Sequence, residues 1–405
     1  MLKNKVSTDE KKIDELLSRA VENIYPDRET LRKKLLSGER LRLYCGFDPT
    51  GEALHIGHGI QIKKLEEFRR LGHEVIFLFG DFTAMIGDPT DKLSARQPIT
   101  PAQVKKNLKG WKGQIKNIID VNKIEFKFNS KWLSKLNFAD IIKLSSEFSV
   151  QQMMERDMFQ ERVKKEKPVF TNEFMYPLMQ AYDSVVMDVD LEIGGNDQTF
   201  NMLAGRTLMR KMKNKEKFVL TTKLLSDPEG KKMGKTEGNM IALTDSPEDM
   251  FGKVMSWTDG MIVPALEIVT DVPMEMVRDV EAKLKDGSLN PRDAKLDLAY
   301  EVVKIYLGDK AAEAGRDNFK RVVQDKEKPA EIPVIKLEQD EIGVLDLFVK
   351  AGLAVSNGEV RRLIAEKGLK IDDNLVNSVD LKVKISNEVL LLQRGKRQFV
   401  KVKKT

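Results

Sequence analysis

The sequence predicts an α/β protein: a doubly wound parallel-sheet domain with a helical insertion, then an all-helical segment, then a small α+β module. Three observations lead there. The 405-residue chain has room for two to four domains of roughly 100–200 residues each. Its 41% hydrophobic residues can build sizeable cores, and its 33% charged residues are mixed in sign, which argues against a membrane or disordered chain. Over residues 35–245, apolar runs of strand length alternate with segments of helical period, as in repeated strand, crossover and strand.

Helical periodicity covers residues 8–37, and residues 41–46 then read as a short strand entering the turn Asp48-Pro49-Thr50-Gly51. A helix is expected from about His55, with Ile60, Leu65 and Phe68 on it, before a second strand at 74–79. That unit has the length of a right-handed crossover. Further strands are expected at 186–193 and 218–220, while residues 101–165, charged and helix-patterned, read as an insertion between the two halves of the sheet. Residues 1–245 therefore form one domain, with the doubly wound part at 35–245. From 246 to 324 the pattern is wholly helical, entered through Ser246-Pro247-Glu248. Residues 325–340, with Pro329 and Pro333 among many charges, read as a linker. Residues 341–405 give two short helices, at 344–351 and 357–366, and strand-like alternation at 379–385 and 389–393.

The longest apolar run, residues 75–79, is far below the ~20 residues of a membrane span, and the Lys-rich start lacks the apolar segment of an export signal. A single cysteine, Cys45, excludes an intrachain disulfide and a Cys-rich zinc site, so a reducing cytoplasm is expected. Of the net charge of +6, residues 341–405 carry +5, from 13 basic against 8 acidic side chains. Such asymmetry suits a polyanion-binding module, with a solvated lysine-rich tail as the bland alternative.

Two segments carry chemistry. His55-Ile56-Gly57-His58 follows a strand and a glycine-bearing turn, and places two imidazoles on one side of a helix N-terminus, where unpaired N–H groups favour phosphate. Gly57 would let a base or ribose approach the backbone. The His spacing is not the i, i+4 pair of zincins, so zinc is disfavoured. The second segment, Glu229-Gly230-Lys231-Lys232-Met233-Gly234-Lys235-Thr236, misses a Walker loop because position 229 is Glu. It reads instead as a lysine-rich loop whose Lys232 and Lys235 close over a leaving pyrophosphate, or as an exposed basic turn.

Together these motifs, in this order, resemble the HIGH and KMSKS signatures of class I aminoacyl-tRNA synthetases, whose Rossmann-like core matches the strand pattern. Tyr44-Cys45-Gly46-Phe47-Asp48-Pro49-Thr50, Ile86-Gly87-Asp88-Pro89, Tyr176-Pro177-Leu178-Met179-Gln180-Ala181-Tyr182-Asp183 and Gly194-Gly195-Asn196-Asp197-Gln198 are similar to segments of the tyrosyl-tRNA synthetase family, bacterial type. The resemblance covers about residues 35–405. It implies that L-tyrosine is activated with ATP, as Mg-ATP, and transferred to tRNA(Tyr) by a homodimer. It implies that Tyr44 and Asp183 hold the phenolic hydroxyl of tyrosine, that Asp88, Tyr176 and Gln180 hold its ammonium, and that Gln198 lies near the reacting carboxylate. On the ATP side it implies Asp197 and Cys45 at the ribose, with Gly46, Asp48 and Gly57 lining the site. His55 and Thr50 would meet the γ-phosphate, His58 the deeper phosphates, and Lys92 and Arg96 the pyrophosphate with Lys232 and Lys235. Ser356-Asn357-Gly358-Glu359-Val360-Arg361-Arg362 looks like an S4 RNA-binding module, implying RNA contacts from Arg361, Arg362, Lys367 and Lys370. Gly234 and Thr236 stand where many relatives have serine, so the resemblance does not carry over hydroxyl contacts from either position, while both lysines remain. The rivals are a tryptophanyl synthetase, which shares both signatures, and a non-catalytic RNA binder on the same scaffold. His73 is expected to be structural.

Overall fold

The computed structural model describes residues 5–88, 99–226, 240–324, 332–395 and 398–404. The chain forms two compact units, Met1–Ala312 and Glu313–Thr405. Among the described residues of the first unit, six strands make one sheet: β1 (Val21–Tyr25), β2 (Arg42–Phe47), β3 (Glu74–Phe79), β4 (Glu125–Phe128), β5 (Leu191–Gly195) and β6 (Phe218–Thr222). Their order is β1-β6-β5-β2-β3-β4. The five strands β2 to β6 run parallel, and β1 lies antiparallel on β6. Central strands such as β3, with five of its six residues buried, read as unbroken apolar runs because both faces are covered.

The chain runs from β2 outward to β3 and β4, then returns past β2 to build β5 and β6. The switch between β2 and β5 opens a crevice at the carboxyl ends of the strands, the usual ligand position in such sheets. The helix Ile56–Arg70 makes the first crossover, with Ile60, Ile62, Leu65 and Phe68 buried.

Four expectations need correction. Residues 8–37 are not all helical: between the helices Glu10–Leu16 and Arg28–Leu36 lies β1, whose pairing with β6 overrides the surrounding helical pattern. Residues 101–165 are not all insertion, because β4 falls among them and pairs with β3. The insertion proper, with helices such as Phe138–Ser145 and Asp157–Lys164, lies between β4 and β5. The strand expected from 186 starts at Leu191, since the helix Met175–Met187 runs on to a left-handed Asp188 (φ 50°). Finally, part of the supposed linker is β7 (Val334–Leu337), which pairs in parallel with β13 (Gln398–Lys404).

From 247 onward the first unit is helical: Pro247–Met255, Ile262–Val269, Met274–Lys285 and Pro291–Leu307 follow one another. Ser246 caps the first, its side chain accepting from Asp249 N–H, with Pro247 in the first turn. The buried Arg19 donates to the carbonyls of Leu266, Glu267 and Thr270 at 2.7–3.2 Å, satisfying a helix C-terminus from the amino-terminal segment.

The second unit holds β8 (Glu341–Gly343), the helices Val344–Lys350 and Asn357–Ala365, β9 (Leu369–Ile371), β10 (Asn374–Leu375), β11 (Lys382–Lys384), β12 (Leu390–Arg394) and β13. Its sheets have the orders β10-β9-β12-β13-β7 and β11-β8. Lys-rich β13 is no loose tail: Val400 and Val402 alternate into a core with Leu347, Phe348, Val360 and Leu392.

Candidate functional site

Tyr44 on β2 lies opposite Glu192 on β5, beside the switch point. It is fully buried, and its hydroxyl sits 2.9 Å from Ser184 Oγ. Burial, reinforced by the carboxylates of Glu192 and Asp183, pushes the Tyr44 phenol well above its usual range, so it stays protonated. The helix Met175–Met187 brings Tyr176, Gln180 and Asp183 to one face, as their i, i+4, i+7 spacing requires. Asp183 is buried; its Oδ1 accepts from Trp132 Nε1 at 2.7 Å and its Oδ2 from Asn129 Nδ2 at 3.2 Å. Burial raises its carboxyl well above the ordinary carboxylate range, and those two donors oppose the rise.

From Asp183 the hydrogen bonds continue to Asp48, just after β2. Asn129, the residue after β4, also donates to Thr83 Oγ1 (3.0 Å), and Thr83 donates to Asp48 Oδ1 (2.7 Å). The Tyr176 hydroxyl donates to Asp48 Oδ2 (2.9 Å), so Tyr176 links Asp48 to the helix that carries Gln180. A Cβ at Gly80 would run into Asp48 Oδ1, which is why the chain needs glycine where β3 ends. Gln180 Nε2 donates to Glu192 Oε1 (2.9 Å). Asp88 meets Gln198 Nε2 at 2.6 Å and the buried Arg156 Nη2 at 3.4 Å, and Gln198 Oε1 accepts from Asn201 Nδ2 at 3.0 Å. Asp88 and Gln198 therefore meet directly, with a cation beside them.

His55 is the N-cap of the helix Ile56–Arg70 and His58 its third residue. The His55 N–H donates to His58 Nδ1 (3.1 Å), and the two rings lie 3.8 Å apart, tilted by 32°. Because Nδ1 accepts, the His58 proton resides on Nε2. Burial first, and His55 second, hold the His58 pKa well below 6.5, so the ring is a neutral donor. A Cβ at Gly57 would lie 2.9 Å from His55 Cε1 and Nδ1, so this glycine first makes room for the His55 ring. Thr50 is exposed, its N–H bonded to the Asp48 carbonyl (2.7 Å), and Gly46 is exposed at the end of β2. Cys45 is buried, and burial raises its thiol far above the usual range, which suits packing rather than nucleophilic chemistry. Asp197 sits in the short turn Asn196–Gln198, and a Cβ at Gly195 would lie 2.5 Å from its Oδ1.

Lys92 and Arg96, and Lys232 and Lys235, lie outside the described residues. The chain just beyond the second lysine pair is stitched to the His55 turn: Ile56 N–H donates to Ile241 O (3.0 Å) and Leu243 N–H to Leu54 O (2.8 Å). His73 is buried with Nδ1 accepting the Leu41 N–H (3.2 Å).

In the second unit, Arg361 and Arg362 are exposed on the helix Asn357–Ala365, Lys367 is exposed after it, and Lys370 is half-buried on β9. Arg394 is committed elsewhere, to Glu359 and the Leu353 carbonyl at 2.7 Å each.

Sequence reasoning missed Asn129, Trp132, Arg156, Ser184, Glu192 and Lys217. Glu192 carried a signal, a charge inside an apolar strand pattern; the others carried none.

Residues 36–324 match the family of class I tRNA synthetases (W and Y), and residues 325–402 match a tyrosine–tRNA ligase SYY-like C-terminal domain. The chain is 40% identical over 397 residues to the tyrosine–tRNA ligase of Carboxydothermus hydrogenoformans, covering 96% of this chain and 97% of that one. It is 39% identical over 388 residues to that of Thermotoga maritima, covering 96% of each. Among solved structures, a C-terminally truncated mitochondrial tyrosyl-tRNA synthetase of Aspergillus nidulans superposes with TM-score 0.63 at 22% identity, over 76% of this chain and 93% of that one. A tyrosyl-tRNA synthetase complexed with L-tyrosine from Archaeoglobus fulgidus gives 0.62 at 22%, over 76% and 100%. At these identities the two structures speak for the fold.

Proposed function

Because the chain belongs to the class I tRNA synthetases of the W and Y family, we propose that it activates L-tyrosine with ATP and joins it to tRNA(Tyr). Its near-full-length likeness to tyrosine–tRNA ligases at about 40% identity carries this reading. In the first step the tyrosine carboxylate attacks the α-phosphorus of ATP in line, the bond from that phosphorus to the α,β-bridging oxygen breaks, and pyrophosphate leaves carrying that oxygen. In the second, a hydroxyl of the terminal adenosine of tRNA attacks the adenylate carbonyl and AMP leaves.

The attacking carboxylate is already ionised, so the first step calls for positioning and charge stabilisation, not a base. The Nε2–H of neutral His58, fixed by the backbone bond to Nδ1, suits donation to a phosphate oxygen. His55, Thr50, Lys232 and Lys235 serve the outer phosphates, with Lys92 and Arg96 beside them; Asp197, Cys45, Gly46 and Gly57 line the nucleoside side, and Asp48 anchors Tyr176. Mg²⁺ arrives on the ATP phosphates, since it dehydrates reluctantly and keeps substrate ligands. In the amino-acid pocket the protonated Tyr44 and the Asp183 carboxylate take the phenolic hydroxyl, while Asp88, Tyr176, Gln180 and Gln198 take the ammonium and carboxylate end. A site built for a hydroxyl rejects the analogue lacking it, because phenylalanine would leave both groups unpaired; tyrosine against phenylalanine is itself the standard worked case of this rule.

Exposed Arg361, Arg362 and Lys367, with Lys370, form the tRNA-facing side of the second unit in this reading. The chain works as a cytoplasmic homodimer; exposed apolar side chains on the insertion, Phe138 and Ile142 among them, support self-association. Among the described residues no helix is long and apolar enough to cross a membrane. The deciding assay is amino-acid-dependent ATP/pyrophosphate exchange with tyrosine, phenylalanine and tryptophan. Tyrosine alone should support strong exchange, and His55→Ala or Lys235→Ala should reduce it sharply. Equal activation of phenylalanine, or undiminished exchange in both variants, refutes the assignment.

A further inference from the structure

A charged pair lies in the driest part of the sheet. Lys217, just before β6, and Glu192 on β5 form an ion pair, and neither has meaningful contact with solvent. Such a pair is weak evidence for stability, since desolvation offsets most of the attraction. Its neighbours show what it does instead. Lys217 Nζ also donates to Ser184 Oγ (2.9 Å), and Ser184 Oγ lies 2.9 Å from the Tyr44 hydroxyl and 3.4 Å from Glu192 Oε2. Glu192 Oε1 accepts from Gln180 Nε2 (2.9 Å). Gly205, on the helix Thr199–Lys213, leaves the space: a Cβ there would stand 2.5 Å from Lys217 Nζ and 3.0 Å from Ser184 Oγ.

Counting protons gives these bonds a direction. A serine hydroxyl has one proton. Ser184 accepts from Lys217, and its proton goes to Tyr44 at 2.9 Å, because Glu192 Oε2 at 3.4 Å lies beyond the usual 2.5–3.0 Å of an O–H···O bond. The Tyr44 proton must then point away from Ser184, available to a ligand oxygen. A carboxylate only accepts, so Glu192 also forces the Gln180 amide: Nε2 stays on Glu192 and Oε1 faces away as an acceptor. Asp183, held by two N–H donors, is likewise an acceptor.

We propose that Lys217, Ser184 and Glu192 are positioning residues that fix the hydrogen-bond polarity of the amino-acid pocket, making Tyr44 a donor to the substrate's phenolic oxygen and Gln180 an acceptor from its ammonium. The inference rests on the reading of Tyr44, Gln180 and Asp183 as the tyrosine site. It makes the pocket complementary to tyrosine at both ends. The phenol proton goes to Asp183, the phenol oxygen receives the proton of Tyr44, and the ammonium meets a carbonyl oxygen whose amide cannot flip.

The test compares Ser184→Ala, Tyr44→Phe, their double variant, and Lys217→Met/Glu192→Gln, a swap that leaves no single buried charge. Each is assayed for kcat and KM in pyrophosphate exchange with tyrosine and with phenylalanine, alongside thermal unfolding. Ser184→Ala should lower the tyrosine-to-phenylalanine ratio of kcat/KM about ten-fold, mostly through KM for tyrosine. On a Tyr44→Phe background it should lower it no further, because it acts through that hydroxyl. Lys217→Met/Glu192→Gln should also raise KM for phenylalanine, which shares the ammonium. An unchanged ratio in Ser184→Ala, an effect additive with Tyr44→Phe, or equal losses for both amino acids would overturn the inference while leaving the pocket reading intact. An unchanged ratio in Tyr44→Phe itself would overturn the pocket reading and the inference with it. If the Lys217→Met/Glu192→Gln protein does not fold, Ser184→Ala, which alters no charge, still decides the matter.

Discussion

The most exposing perturbation of the proposed tyrosine pocket is Asp183→Asn. The exchange keeps shape and removes charge, and the structure makes its cost specific. Both carboxylate oxygens accept N–H donors, from Trp132 at 2.7 Å and from Asn129 at 3.2 Å. Whichever way an asparagine amide turns, its NH₂ faces one of those donors, so one bond is lost and two donors are opposed. Folding stability should fall by about 1–3 kcal/mol for the buried group left unsatisfied. The folded carboxyl titrates above the free value of 3.8, so folding takes up a proton between the two; this group's contribution is full below 3.8 and is lost as pH rises through the folded value. Asn removes that dependence. For substrate, the charge-assisted bond from the phenol disappears, about 1.5–3 kcal/mol, or roughly a 10- to 150-fold fall in the tyrosine-to-phenylalanine ratio of kcat/KM. Pyrophosphate exchange with both amino acids measures the ratio, and denaturant unfolding measures the stability. A folded Asp183→Asn protein with the parent ratio would refute the placement of the phenol at Asp183.

Other consequences can be checked directly. His73 is buried, and desolvation with Arg40 nearby draws its pKa down to about 4, against an ordinary 6.5. Its neutral form is the folded one, so stability present above pH 6.5 should decline as pH falls toward 4, by about 3 kcal/mol in all; His73→Gln should flatten that part of the pH profile of denaturant midpoints. Gly80→Ala forces a Cβ onto Asp48 Oδ1 and within 2.5 Å of Thr83 Oγ1. It should cost about 1–3 kcal/mol and reduce exchange with tyrosine, and a protein of parent stability and activity would remove Asp48 from its anchoring role. A chain ending at Gln324 should retain tyrosyl-adenylate formation and lose tRNA charging, with the salt dependence of tRNA binding reduced. Full charging by that chain would show that residues 325–405 are dispensable for tRNA.

The central strands were legible because burial on both faces writes them as apolar runs: β3 appears at 74–79 from sequence and structure alike. The edge strands were not. β1 and β4 have five and four residues, and only their partners, distant in sequence, make them strands. In the site, the helical spacing of Tyr176, Gln180 and Asp183 alone places three groups on one face. Trp132, Asn129 and Arg156 gave no such sign, because they arrive from the end of β4 and from the insertion, and their proximity to Asp183 or Asp88 is tertiary. The acceptor role of His58 Nδ1 likewise depends on a cap geometry that spacing alone does not give.

The antiparallel strand at the sheet edge also sets a schedule for synthesis. Val21 pairs with Thr222, so the first strand to leave the ribosome has its partner some 200 residues later. At about 5–20 residues per second, that is a wait of roughly 10–40 s. During it β2, β3 and β4 can pair as they emerge, but the open edge of β2 has no neighbour until β5 is made, and β1 none until β6 follows. The first unit is thus born with its sheet incomplete at the crevice, and the nascent chain must carry an unpaired apolar edge through most of its first two hundred residues.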